Sequence, residues 1–182
     1  MKEEIIIAGF GGQGVLSMGK ILAYSAVMQG KEVTWMPSYG PEMRGGTANV
    51  TVIISDERIS SPIVHEYDTV IVLNQQSLDK FEHSVKKGGV LIYDPNGISH
   101  KPTRKDIRVY SIEATSESAK KGNTRVFNMV VLGGYLKVKP IVSLDSVDKG
   151  LRKSLPERLH HTISANRESI RQGMELVKEE HV

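Results

Sequence analysis

Two stretches of this 182-residue chain carry residue types whose spacing suits chemistry. The first is Gly9-Phe10-Gly11-Gly12-Gln13-Gly14, directly behind the apolar run Ile5-Ile6-Ile7-Ala8. Gly9, Gly11 and Gly14 fit the G-x-G-x-x-G turn, in which a buried parallel strand passes into a helix. Glycine is needed there because the chain turns sharply and a ligand or another backbone comes close with no Cβ in the way. The helix start behind the turn offers unpaired N–H groups and partial positive charge, which suits an anion. Gln13 adds a side-chain donor for a phosphate or a carbonyl. The second stretch is Pro37-Ser38-Tyr39-Gly40-Pro41-Glu42-Met43-Arg44-Gly45-Gly46, whose prolines and glycines predict a loop with specific backbone demands. It encloses a hydroxyl, a phenol, a carboxylate and a guanidinium. Arg44 suits phosphate or carboxylate, and Tyr39 suits stacking on an adenine or a partner side chain. Each stretch also has a plain structural reading. The glycines then serve helix–strand packing alone, Gln13 is an exposed first-turn polar residue, Tyr39 covers the sheet edge, and Glu42 with Arg44 forms a surface ion pair worth about 0–1 kcal/mol.

The elements that would position these loops follow from periodicity. Residues 4–9 read as a strand buried on both faces. From Gln13 to Gln29, apolar Val15, Met18, Ile21, Leu22, Ala26 and Val27 recur at helical spacing, and Gly30 stops the helix. A strand over 32–36 completes a βαβ unit. In such a sheet the 37–46 loop emerges at the carboxyl edge, beside the glycine turn. A dinucleotide site wants an acid at the end of that second strand, about 20 residues past the glycines. Here Met36-Pro37-Ser38-Tyr39 stands in that place, while Glu32 lies at the strand's start, on the wrong edge.

Residues 47–55 alternate as a strand, and Asp56-Glu57-Arg58 predicts a turn into a hairpin partner over 59–64. Further strands are expected over 69–74, 90–93 and 108–112, the last of the sheet. A helix over 75–85 is closed by Lys86-Lys87-Gly88-Gly89, with the lysines at its negative end. Helices follow over 113–121, from a Thr124 cap through Tyr135, from Ser143, and from Pro156 to a charged tail. The segment through Tyr135 is apolar nearly all round and carries Gly133-Gly134, which predicts burial with close helix contacts. The expected fold class is α/β: a Rossmann-like three-layer sandwich with a mostly parallel central sheet, a β-hairpin insertion and C-terminal helices, one domain over 1–182.

Bulk composition narrows the function. With 39% hydrophobic and 25% charged residues the chain reads as an ordinary globular domain. A net charge of +3, with Lys and Arg dispersed, gives no nucleic-acid signature. No apolar run approaches the ~20 residues of a membrane span. Met1-Lys2-Glu3-Glu4 leads straight into a strand with no room for a signal peptide, so a cytoplasmic location is expected. There is no cysteine, hence no disulfide, thiolate nucleophile or cysteine-ligated iron–sulfur cluster. The six histidines show no metal spacing, and Ser38 has no base near it in sequence.

Gly-Phe-Gly-Gly-Gln-Gly-Val, followed about thirty residues on by Ser-Tyr-Gly-Pro-Glu-Met-Arg-Gly-Gly, resembles the gamma subunit of 2-oxoacid:ferredoxin (acceptor) oxidoreductases over essentially the whole chain. With Ser-Asp-Glu-Arg-Ile-Ser-Ser-Pro after it, the form is most similar to the 2-oxoglutarate branch, with pyruvate and branched-chain branches close by. The resemblance implies a CoA-dependent oxidative decarboxylation of a 2-oxoacid to acyl-CoA and carbon dioxide, with electrons passed to ferredoxin. It also implies thiamine diphosphate with Mg2+ between alpha and beta subunits, and iron–sulfur clusters on beta or a ferredoxin-like delta subunit. This chain would hold none of these alone and would be inactive by itself. The residues so implied at the partner and coenzyme A junction are Gly9, Gly11, Gly12, Gln13, Gly14, Ser38, Tyr39, Gly40, Glu42, Arg44 and Gly45. The rival readings are a free-standing dinucleotide-dependent dehydrogenase and a purely non-catalytic scaffold.

Overall fold

A computed structural model of the chain describes residues 1–39 and 47–181. The strands are β1 (Lys2–Phe10), β2 (Glu32–Tyr39), β3 (Thr47–Ser55), β4 (Tyr67–Val72), β5 (Val85–Tyr93), β6 (Arg108–Ser111) and β7 (Lys178–Glu180). They form one sheet in the order β2-β3-β1-β4-β5-β6-β7. β1, β2, β4, β5 and β6 run one way, and only β3 and β7 run against them. Ile5, Ile6 and Ile7 are buried on both sides of β1 because helices cover both faces of the sheet. One face carries α1 (Val15–Met28), α4 (Phe127–Val138), α5 (Leu144–Ser154) and α6 (Ile163–Leu176), whose apolar sides share a core with Val50, Val52 and Ile54 of β3. The other face carries α2 (Gln75–Phe81), where Leu78 packs with Ile6, Val70 and Leu91. A short α3 (Ala114–Lys120) follows β6. The expected three-layer α/β class is what forms.

Several local expectations give way. Residues 59–64 hold no strand, and β3 pairs instead with β2, from Tyr39 opposite Ala48 to Glu32 opposite Ser55. Both flanks of β3 are filled by β1 and β2, and Ser60-Ser61-Pro62 lacks both the pattern and a donor to extend a ladder. The hairpin of this fold is therefore β2–β3, and β3 lies between the two strands of the expected βαβ unit. β2 also continues through Pro37, Ser38 and Tyr39, beyond the boundary at 36. Pro37 is tolerated there because β2 is the edge strand. α2 stops at Phe81, a 3-10 turn spans Glu82–Ser84, and β5 begins at Val85, so Lys86 lies in a strand rather than at a helix end. The expected final helix is a 3-10 turn over Glu157–Thr162 before α6. β7 was invisible in Lys-Glu-Glu, which has no apolar alternation, yet it pairs antiparallel with β6.

The close helix contact expected at Gly133-Gly134 is present. A Cβ on Gly133 would sit 1.9 Å from the Ile170 carbonyl oxygen, and one on Gly173 would sit 1.8 Å from that of Val130. α4 and α6 thus touch backbone to backbone.

Charge staples the amino edge of the sheet. Lys86 Nζ reaches Glu4 Oε2 at 2.7 Å and Asp68 Oδ1 at 2.8 Å, and the Glu4 backbone N–H donates to Asp68 Oδ2. Buried Glu3 accepts from the Thr69 hydroxyl at 2.6 Å and pairs with Lys139 at 3.1 Å. Asp56 pairs with Lys31 and with the Met1 ammonium.

Candidate functional site

Strand register brings the two marked loops together. Phe10, the last residue of β1, lies opposite Thr47, the first of β3, and Tyr39, the last of β2, lies opposite Ala48. The turn at 9–14 and both anchors of the 40–46 connection therefore share the carboxyl rim of the sheet. Ser38 is on that rim, opposite Asn49, and Tyr39 follows it at the strand end. Gly40, Glu42, Arg44 and Gly45 lie outside the described residues.

The glycine turn is braced from within. Gln13 Oε1 accepts from the Phe10 backbone N–H at 2.6 Å, and Gln13 Nε2 donates to the Leu73 carbonyl at 3.3 Å. The amide thus ties the loop after β1 to the loop after β4, its oxygen turned inward. A Cβ on Gly9 would come within 2.5 Å of that amide oxygen, so Gly9 answers a packing demand. Gly14 caps α1 with φ 72°, and its carbonyl accepts from Asn128 Nδ2 at 3.2 Å. A Cβ there would lie 2.4 Å from the same nitrogen. Gly12 differs: its φ is 94°, and nothing lies within 4 Å of a Cβ built on it. Gly9 and Gly14 serve the fold, whereas Gly12 faces open space.

Beside the turn is a cleft of about 330 Å³, lined by Phe10, Gly11, Gly12, Gly14, Val15, Leu16, Ser17 and Ala48. Among the described residues, its lining side chains include no acid, no base and no thiol. α1 begins there without a side-chain cap and without an acidic residue in its own first turn, so no described residue of the helix itself answers its positive end. Such a surface can hold an anion or a partner's backbone.

Three contributors escaped the sequence reading. Asn128 was masked by the apolar helix around it, although one polar residue in such a helix signals a specific bond. Leu73 acts through its carbonyl, which no side-chain motif records. Asp94, at the end of β5, accepts from the backbone N–H and hydroxyl of Thr115 at 2.9 and 2.6 Å and from the Asn96 N–H at 3.0 Å, fixing the neighbouring rim turn. The aspartate in Asp-Pro-Asn-Gly is its only sequence cue.

The family model for pyruvate ferredoxin/flavodoxin oxidoreductase matches residues 4–176. The ketoisovalerate oxidoreductase subunit VorA of Methanothermobacter thermautotrophicus is 45% identical over 130 residues, which are 71% of this chain and 27% of that protein. The chain thus spans about a quarter of that relative's length. The 2-oxoglutarate synthase subunit KorC of Methanocaldococcus jannaschii is 36% identical over 182 residues, covering 98% of this chain and 96% of that one. The crystal structure of a keto/oxoacid ferredoxin oxidoreductase gamma subunit from Geobacter sulfurreducens superposes with a TM-score of 0.82 at 29% identity, over 97% of this chain and 96% of that chain.

Proposed function

The chain belongs to the pyruvate ferredoxin/flavodoxin oxidoreductase family, and from that premise we propose that it is the gamma subunit of a 2-oxoacid:ferredoxin oxidoreductase. The proposed overall reaction is CoA-dependent oxidative decarboxylation of a 2-oxoacid, with 2-oxoglutarate favoured by full-length similarity to a 2-oxoglutarate synthase subunit. The observation that carries this reading is the convergence of the 9–14 turn and both ends of the 40–46 connection on one rim, beside a cleft whose described lining holds no acid, base or thiol. A surface of that kind completes a site whose reacting groups come from other chains.

The fit to each implied group differs. Coenzyme A suits the rim: the uncapped start of α1 and the open backbone at Gly12 would receive one of its phosphates, and Arg44 would add a guanidinium. Coenzyme A supplies the thiol that accepts the acyl group. Thiamine diphosphate with Mg2+ does not suit the described part of this rim, whose cleft lining offers no carboxylate, and iron–sulfur clusters do not suit a sequence without cysteine. Their place in this reading is on alpha, beta and a ferredoxin-like delta subunit, with ferredoxin as acceptor. The roles of Gly9, Gly14 and Gln13 are then to hold the rim in shape, and those of Gly11, Gly12, Ser38, Tyr39, Gly40, Glu42, Arg44 and Gly45 to face ligand or partner.

A dinucleotide-dependent dehydrogenase is disfavoured by β2 itself. Its carboxyl end is Met36-Pro37-Ser38-Tyr39, and Glu32 sits at the opposite rim.

The test is reconstitution of the co-expressed subunits with and without this chain. Coenzyme A-dependent decarboxylation is expected only with it, and Arg44→Ala is expected to raise the KM for coenzyme A. Equal turnover without the chain would sink the assignment, and nanomolar NAD binding to the isolated chain would favour the dehydrogenase.

A further inference from the structure

A second cleft lies away from the rim. A groove of about 550 Å³ runs over the outer helical layer between α1, the segment leading into α4, and the 155–166 segment. Its floor is aliphatic, formed by Ile21, Val126, Met129, Leu155 and Leu159, with Leu159 left 37% exposed. Among the described residues no Asp or Glu lines it, while Arg125 and His161 do. Arg125 is exposed, and among the described residues no carboxylate lies within ion-pair distance of it. The flanking sequence deepens the imbalance, since Arg152, Lys153 and Arg158 precede His161 with Glu157 as the one acid between them. Ser17 lines both this groove and the rim cleft, so the two are neighbouring but separate surfaces of α1.

We propose that this groove docks an acidic amphipathic helix of a partner subunit. An aliphatic floor with a cationic margin is the complement of a helix whose apolar anchors recur at i, i+3, i+4 and i+7 and whose flanks carry Asp and Glu. A nucleotide fits less well, because no Phe, Tyr or Trp lines the groove to stack on a base. Polypeptide is also the natural occupant given a relative in which the matched region is only 27% of a longer chain. The inference rests on the subunit reading above but places contact on a different surface from the rim.

Amide hydrogen exchange on the free chain and on the co-expressed assembly separates the two. The expected result is new protection over 123–129 and 155–166 in the assembly. Protection of 9–14 without protection of the groove overturns this proposal and leaves the subunit reading standing, whereas failure to assemble removes both. Protection of the groove in the free chain by coenzyme A alone makes it a ligand site, and protection that grows with protein concentration makes it a contact between copies; either overturns the proposal. Arg125→Glu is expected to weaken assembly about tenfold at low salt, an effect lost at about 1 M salt, where charge screening shortens to about 3 Å. Arg125→Lys should retain affinity, as should Arg171→Glu, a charge reversal outside the groove. An Arg125→Glu chain that assembles with unchanged affinity at low salt overturns the proposal.

Discussion

At the scale of single residues, the glycine turn divides into positions where a Cβ would meet neighbouring atoms and one, Gly12, where only the backbone angle asks for glycine. Gly14 combines φ 72° with an Asn128 nitrogen where a Cβ would go, and that nitrogen also bonds its carbonyl. Gly14→Ala should therefore cost about 1–3 kcal/mol in urea unfolding, from backbone strain and a displaced part-buried hydrogen bond. Gly12→Ala meets no neighbour, so its cost should be backbone strain alone, about 1–2 kcal/mol. If Gly12 faces coenzyme A or a partner, the same substitution should also raise the coenzyme A KM or weaken assembly several-fold. A Gly12→Ala chain that assembles and turns over like the parent would leave that position only a conformational role. The type and spacing of these glycines were legible in the sequence because a strand–turn–helix forces them. What each glycine answers to was not, because Gln13 Oε1, Leu73 and Asn128 come from elsewhere in the turn or from 60 to 114 residues away.

At the scale of elements, the reading succeeded where one element's own period decides its form. The apolar spacing of α1 and the glycine pair of α4 are local signals, and both led to the packing observed. It failed where pairing depends on a partner. β3 has a regular alternation, but alternation does not say which strand lies beside it, and the turn-like Asp56-Glu57-Arg58 pointed to the wrong neighbour. β7 shows the same gap in smaller form. Its three residues form a strand because Lys178 to Glu180 lie along β6, with Glu180 accepting from the Ser111 hydroxyl at 2.6 Å. The α4–α6 contact gives the sharpest element-scale prediction. Gly173→Ala must push apart two helices in backbone contact, and overpacking of this kind costs about 1–3 kcal/mol or more. Thermal unfolding should show a clear loss of Tm. Gly30→Ala, with a positive φ but open space around it, should cost less.

At the scale of the molecule, the two rims of the sheet are built for opposite ends. The carboxyl rim carries the glycine turn and a cleft whose described lining holds no ionisable side chain, while the amino rim gathers the charges that hold β1, β3, β4 and β5 in place. Acid should therefore attack the fold from the amino rim. The Asp56 carboxyl is lowered from 3.8 to about 2, by the hydrogen bond from Lys31 and then that from the Met1 ammonium. Burial pushes the Glu4 carboxyl up, but hydrogen bonds and charge from Lys2 and Lys86 outweigh it and leave it lowered. A carboxyl whose folded pKa lies below its unfolded value stabilises the fold when ionised. That contribution is full above the ordinary carboxylate range and is lost as the pH falls from about 4 toward about 2. Lys86 carries the opposite sign: burial lowers it, Asp68 and Glu4 raise it further, and its contribution fades only as the pH climbs above the ordinary lysine value of 10.5. Urea midpoints should accordingly be level through neutrality and fall steeply below pH 4. Asp56→Asn combined with Glu4→Gln should lower the midpoint at pH 7 and flatten the acid slope, because the linked protons are no longer taken up on unfolding. An acid slope left unchanged by that pair would mean that the amino rim is not where this fold stores its charge-dependent stability.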